Sequence, residues 1–388
     1  MHPIYMDYAA TTPTDKRVIE AMLPYFGEVY GNPSSLHAFG QEAKAAVEEA
    51  REKVASPLGA DPAEIVFTSG GTESDNFAIK GVAYANRKKG DQIITSAIEH
   101  PAVLETCRFL ETEGFRVIYL PVDDEGLVDP SAVADVITDK TILISIMHAN
   151  NEIGTIQPIA EIAALARERG VIFHTDAVQS FGQLPFTADE LRVDLLSATA
   201  HKLYGPKGVG LLYIRKGTRI APFMHGGEQE RGRRSSTLNV PGIVGFGKAV
   251  ELAGASLTGE AARLTVMRDR FIRGIFERLD RIRLNGHPTR RLPNNINLSA
   301  AHVEGEGMIL SLDMLGIACS TGSACSSSSV ETSHVLTAIG LPEEFSHGSL
   351  RITLGRYTKE SDIDTVLETL PQVVGRLRSL SPTHRGKE

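Results

Sequence analysis

The sequence has no tryptophan and only three cysteines, Cys107, Cys319 and Cys325. So sparse and odd a count excludes a disulfide framework and fits a reducing compartment. There is no C-x-x-C pair and no H-E-x-x-H run, so no metal site is expected. No apolar stretch approaches the roughly 20 residues that span a bilayer, and no membrane segment is expected. The opening Met1-His-Pro-Ile-Tyr-Met-Asp7 lacks the basic region and apolar core of a secretory signal. The expected location is the cytoplasm. Positive charge is also scarce: the net charge is −8. A nucleic-acid partner, which needs basic patches against phosphate, is therefore not expected. The one basic cluster, Arg231-Gly-Arg-Arg234, is short enough to be a solvated loop.

What remains is an ordinary globular composition, 42% hydrophobic and 23% charged over 388 residues. That length calls for one large domain and a smaller one. Strand-like runs occur at Ile65–Thr68, Gln92–Thr95, Val117–Leu120, Thr141–Met147, Val171–Phe173, Val193–Ala198 and Val209–Ile214. Helical periods separate most of them, as at Gln41–Val54, Thr72–Arg87 and Pro158–Arg169. Strands alternating with helices predict an α/β fold with a mostly parallel, seven-stranded sheet covered on both faces. The pattern changes near Gly254–Gly259. A long amphipathic helix follows, with Leu264, Met267, Phe271, Ile275 and Leu279 on one face. Short strands at Asn295–Leu298 and Leu350–Leu354 and a last helix over Lys359–Leu380, kinked at Pro371, complete the chain. The expected division is a large domain over 13–255 and a small α+β domain made of 1–12 and 256–388. Residues 381–388 are polar and expected to fray.

Chemistry gathers where the apolar runs end. Asp176 and Gln179 follow the Val171–Phe173 run; Thr199, His201 and Lys202 follow Val193–Ala198. In an open α/β sheet the ligand crevice lies at the carboxyl ends of the strands. An acid, an amide, a hydroxyl, an imidazole and a lysine there suit pyridoxal phosphate, which needs a lysine for its Schiff base and an acid at its ring nitrogen. Taken singly, Asp176 could equally be a helix cap and Lys202 a surface charge. Ser69-Gly-Gly-Thr-Glu-Ser74 joins a strand to a helix, so Gly71 and Thr72 could offer backbone N–H groups and a hydroxyl to a phosphate. Without a following Gly-Lys-Ser/Thr it is no Walker loop. His100, before Pro101, lies past another strand end, where an imidazole could stack on the cofactor and relay protons. The Asn150-Asn151 pair offers an amide nearby. Arg351, alternating with Leu350 and Ile352, could clamp a carboxylate through a bidentate guanidinium. Cys325 stands in Gly322-Ser-Ala-Cys-Ser-Ser-Ser-Ser329, a composition that suits neither a core helix nor a core strand. A free thiol on a loop there, about 320–332, calls for chemistry to perform. Cys107 reads as structural, and Cys319 as more buried than Cys325.

Together these segments resemble the cysteine desulfurases of the NifS and IscS type, within the fold-type I, class V aminotransferase-like enzymes. The resemblance runs through Tyr5-Met-Asp-Tyr-Ala-Ala-Thr-Thr12, Gly31-Asn-Pro-Ser-Ser-Leu-His37, Ser69–Ser74, Glu99-His-Pro101 and Asn150–Gly154. It continues through His174–Gln179, His201-Lys202, Gly226–Gly232, Gly322–Cys325 and Leu350–Arg356. It implies that Lys202 carries the pyridoxal phosphate, His100 stacks on its ring, and Asp176 and Gln179 hold its nitrogen and phenolic oxygen with Asn151 close by. Thr72, Thr199 and His201 would bind the phosphate, and Thr237 would reach the phosphate of a second subunit, making an obligate homodimer. Arg351 would clamp the carboxylate of L-cysteine. The Cys325 thiolate would take the substrate sulfur as a persulfide, release alanine, and pass the sulfur to an acceptor protein such as an iron–sulfur scaffold. The short C-terminal stretch after Leu380 leans the expectation toward NifS. The alternatives are a selenocysteine lyase or a related class V aminotransferase.

Overall fold

The computed structural model describes residues 3–322 and 332–380. Cys325, with most of the expected 320–332 loop, and the 381–388 tail lie outside the described residues. The strands are β1 (Ile4–Tyr5), β2 (Ile65–Thr68), β3 (Gln92–Ser96), β4 (Arg116–Leu120), β5 (Thr141–Ser145), β6 (Ile172–Asp176) and β7 (Leu195–Thr199). Then come β8 (Gly210–Ile214), β9 (Ile282–Leu284), β10 (Asn295–Ala300), β11 (Ile317–Ala318) and β12 (Ser349–Thr353). Seven of them form one sheet in the order β2-β8-β7-β6-β5-β3-β4. Only β8 runs against the rest, so the sheet is mostly parallel as expected.

Side-chain alternation puts a separate core on each face of this sheet. Ile94, Ile144, Phe173, Leu196 and Leu211 belong to one. Ile93, Leu143, Leu195 and Leu212 belong to the other, under Phe77, Ala78 and Val82 of the Gly71–Asn86 helix. Burial on both faces explains why these strands read as continuous apolar runs. A third core lies around β10 and β12 with Met6, Phe271, Ile275 and Leu367. No helix among the described residues is long and apolar enough to cross a membrane.

Three boundaries differ from the sequence reading. Strand β6 continues through His174, Thr175 and Asp176, so Asp176 is its last residue rather than a residue beyond it. The reason is that its polar side chains are satisfied in place: Thr175 Oγ1 donates to the Ile146 carbonyl at 2.8 Å, and His174 lies between two serines. Thr199 likewise ends β7. The third difference is at Gly254–Gly259, where one helix, Val240–Phe276, runs straight through. Both glycines face solvent there, so they weaken the helix locally but remove no packing. Val240, Ile243 and Phe246 bury against the first core, and Leu264, Met267 and Phe271 against the third.

One buried ion pair fastens the 225–237 segment to the sheet. Arg51 donates to both Glu230 oxygens at 2.8 and 2.7 Å, and Glu230 also accepts from the Phe67 N–H at 2.9 Å. The two side chains are 3% and 0% exposed. Removing Glu230 leaves the buried guanidinium with only the exposed Glu48 carboxylate, 3.2 Å from its Nε, and the Ile65 carbonyl at 3.0 Å. Glu230→Ala should therefore cost about 3–5 kcal/mol in denaturant unfolding, whereas the exposed pair Lys53–Glu49 should cost well under about 1 kcal/mol.

Candidate active site

The carboxyl ends of β6 and β7 lie side by side, in a register that pairs Asp176 with Ser197. Beyond β7 a tight turn, Ala200–Lys202, projects His201 and Lys202. Lys202 Nζ donates to the Ala10 carbonyl at 2.8 Å and to the Ala9 carbonyl. Gln179 Nε2 donates to the same Ala9 carbonyl at 3.0 Å. The lysine and the amide thus converge on one stretch of the N-terminal segment. His201 Nδ1 meets Thr11 Oγ1 at 3.1 Å, and Thr12 bonds the His201 carbonyl at 3.0 Å.

Asp176 is 5% exposed and accepts from the Val178 N–H at 2.8 Å. Burial pushes its carboxyl up to about 6, and the Val178 N–H and the Lys202 charge pull the other way. A cationic ring nitrogen beside it would complete the compensation that a buried carboxylate needs. His100 caps the Pro101–Thr112 helix, its Nδ1 accepting from the Ala102 N–H at 3.1 Å. In the neutral ring this puts the proton on Nε2. Burial, then the charges of Lys202 and His334, hold His100 down to about 4. The capping and functional readings of His100 are therefore compatible: one nitrogen caps, the other is a donor. Burial and Lys202 also lower His201, to about 4.

A cleft of about 400 Å³ opens beside these groups, lined by Gly71, Thr72, Thr199 and His201 together with Thr11 and Lys207. The Gly71–Asn86 helix starts at its wall, and its N-cap Gly70 makes no side-chain cap bond; a helix N-terminus suits a phosphate. Gly71 is required by contact: a Cβ there would stand 2.6 Å from Val178 Cγ2, between Asp176 and Gln179. The cleft wall and the Asp176–Gln179 turn are thus packed against each other. Asp176, Gln179, Lys202 and His100 do not line this cleft, but Lys202 reaches its wall at Ala10 and the Asp176–Gln179 turn packs on Gly71. A phosphate site with an acid, an amide and a lysine beside it fits pyridoxal phosphate.

Arg351 is 3% exposed, on β12. It donates to Asp7 Oδ1 at 2.9 Å, to the Asn151 carbonyl at 3.1 Å and to the Gly322 carbonyl at 3.4 Å. Its Nε has no partner among the described residues. An unspent buried donor on a guanidinium is what a carboxylate would take. Asn151 meets Arg351 through its backbone carbonyl. Thr237 is exposed and does not line the cleft. Arg234 nearby binds Glu73, in the first turn of the Gly71–Asn86 helix, at 2.7 and 3.0 Å. Cys107 is buried, pushed up to about 12, and Cys319 is half-buried and likewise raised to about 12. Neither is a ready thiolate. Among the described residues no cluster of histidine, cysteine, aspartate and glutamate is placed to hold a metal.

The sequence reading missed Asp7, Ala9 and Ala10. Their signal was present, within Tyr5–Thr12, but Ala9 and Ala10 act through carbonyls that any residue would supply.

A match to the class-V aminotransferase family model covers residues 4–366. The chain is 58% identical to a cysteine desulfurase IscS of Dictyoglomus turgidum, over 98% of this chain and 96% of that one. It is 57% identical to a cysteine desulfurase IscS of Methanosarcina thermophila, over 98% and 94%. A solved NifS-like protein superposes with a TM-score of 0.91 at 40% identity, over 97% of this chain and all of that one. Both the IscS and the NifS names thus occur among similar chains.

Gly71→Ala should overpack against Val178 and weaken pyridoxal phosphate binding on the order of tenfold, read by titrating the apoprotein. A histidine held below its ordinary 6.5 contributes stability above that pH and loses it as pH falls toward 4. His100→Gln should therefore show a smaller loss of unfolding free energy between pH 7 and 4 than the parent.

Proposed function

This chain belongs to the class-V aminotransferase family, among its cysteine desulfurases, and on that premise we propose how its residues divide the work. Lys202 carries pyridoxal phosphate, Asp176 faces the ring nitrogen, Gln179 the phenolic oxygen, and His100 the ring face. Gly71, Thr72, Thr199 and His201 hold the phosphate. When bound, the cofactor supplies an electron sink for the pair left on the substrate carbon. The observation that carries this reading is the convergence of Lys202 and Gln179 on Ala9 beside the buried Asp176 and the phosphate cleft.

Arg351 holds the carboxylate of L-cysteine, its Nε directed to one oxygen, with Asn151 alongside. The Lys202 amine takes the Cα proton. His100, neutral at working pH, presents Nε2–H toward the reacting groups and can move a proton without carrying charge into the site. The Cys325 thiolate then attacks the substrate sulfur. The carbon–sulfur bond breaks with its electron pair on carbon, which is protonated and leaves as alanine. Cys325 keeps the sulfur as a persulfide for an acceptor protein, in the class of iron–sulfur scaffolds, in the cytoplasm.

We place Thr237 at the phosphate of a second subunit. Its exposure supports this, as does the exposed apolar group Leu23, Phe26, Tyr30, Leu36 and Phe39. Apolar surface in that quantity marks an interface, and a second copy of the chain would cover it. We also keep the division into a large domain, 13–255, and a small one, 1–12 with 256–388. The boundary then falls inside the Val240–Phe276 helix.

Lys202→Ala should abolish the lysine-linked absorption band of the cofactor. Cys325→Ser should keep that band and lose alanine production from cysteine. Alanine formed at the parental rate in Cys325→Ser would remove Cys325 from the reaction and favour selenocysteine lyase or aminotransferase chemistry. Mixing Lys202→Ala and Thr237→Ala chains should restore one intact site per mixed dimer and recover activity above that of either variant alone. Additive activities would sink the shared phosphate site.

A further inference from the structure

The Gly71–Asn86 helix begins at the phosphate cleft and, one turn in, buries a second carboxylate. Asp75 is 1% exposed. The helix packs on the sheet face that carries the even-numbered residues of β6, so Asp75 meets His174 there, two residues before Asp176. Asp75 Oδ1 lies 3.6 Å from His174 Nε2, beyond hydrogen-bonding distance. That oxygen has no hydrogen-bond partner among the described residues. The Ser197 hydroxyl favours the anion of this carboxyl, and burial and the charge of Asp176 work against it.

Burial disfavours a charge on His174. Ser145 Oγ meets its Nδ1 at 2.8 Å and Ser197 Oγ its Nε2 at 3.0 Å, hydroxyls that satisfy a neutral ring. Burial holds it down to about 3. The next acid, Glu99, is also fully buried, bonded by Ser96 Oγ at 2.6 Å and the Met147 N–H at 3.0 Å, and burial raises it to about 8. Three carboxyl groups therefore occupy one dry region. Among them Asp176 has a backbone N–H donor and the attraction of Lys202. Burial and the negative charge of Asp176 both push Asp75 up. Two like charges so placed in a low-dielectric interior do not both ionise.

We propose that Asp75 is a positioning residue kept as the neutral carboxylic acid, so that the one negative charge of the Asp75–Asp176 pair rests on Asp176, against the cofactor's ring nitrogen. The inference rests on the reading that Asp176 faces that nitrogen. A single helix would then serve both ends of the cofactor: its first turn meets the phosphate, and its second keeps the neighbour of the Asp176 charge neutral. Asp75 acts through Asp176 and touches neither substrate nor cofactor.

The holoenzyme labelled with carboxyl-¹³C aspartate tests this without any variant. One aspartate carboxyl should show the chemical shift of a neutral acid at pH 7, and it should be the signal missing from Asp75→Asn. No such signal in the parent would overturn the proposal. So would a His174 ring found protonated on both nitrogens by ¹⁵N NMR, since Asp75 would then be the anion of an ion pair. Asp75→Asn, which is permanently neutral and of the same shape, should bind pyridoxal phosphate within about twofold of the parent and leave the pH midpoint of its absorption band in place. A shifted midpoint would count against the proposal. The reading of Asp176 is checked separately with ¹⁵N-labelled cofactor. A ring nitrogen found unprotonated in the parent would sink that reading, whatever the aspartate spectrum shows.

Discussion

Asp176 is an acid at the buried end of a strand, and removing a carboxylate from water costs several kcal/mol unless other groups replace the water. The groups around it do so from several directions. The Val178 N–H comes from the turn that β6 enters. The Lys202 charge comes from the turn after β7, brought alongside by the Asp176–Ser197 register. A one-residue slip in that register would send every side chain of one strand to the opposite face. The apolar alternation that fills the two sheet cores therefore also fixes which carboxylate and which lysine meet.

The N-terminal segment is the second organising element. β1 pairs in parallel with β11, and Asp7 bridges to Thr353 of β12. A few residues later Ala9 and Ala10 receive Lys202 and Gln179. Along the same stretch Asp7 holds Arg351, 344 positions away. The lysine, the guanidinium and the amide are thus referred to one short piece of chain, the lysine and amide through its carbonyls and the guanidinium through the Asp7 side chain. Their separations are set by that piece and not by long, independently moving side chains. This suits a reaction in which a bound carboxylate and the carbon that gives up its proton must keep a fixed distance.

Much of this was legible in the sequence because it rests on pattern. Apolar runs of strand length mark the seven strands, and the polar side chains just past one of them are His201 and Lys202, with Thr199 at its last position. Polarity at His174 reads as the end of a strand and puts Asp176 beyond it, whereas the buried serines on β5 and β7 let His174 remain inside. The uninterrupted Val240–Phe276 helix was obscured by Gly254 and Gly259, whose exposed positions cost propensity without ending the helix. Ala9 and Ala10 could not be found from side-chain chemistry, since their contribution is two carbonyl groups. Asp75 was hidden for another reason. An acid in the second turn of a helix reads as a solvated face, and only the packing of that helix on the sheet turns it inward.

The Val240–Phe276 helix has 37 residues, a rod of about 55 Å. Its first half contributes to one apolar core and its second half to another. A hinge at its centre would have to break consecutive backbone hydrogen bonds, and unfolding of either core would strip the other of one wall. The two halves of the molecule are thus coupled in stability as well as in space, so loss of structure should propagate along this rod as one cooperative event. A lesion far from Lys202, in the packing of Phe271 or Ile275, would then reach the site as a change in the population of folded molecules, with the chemistry of each surviving molecule intact.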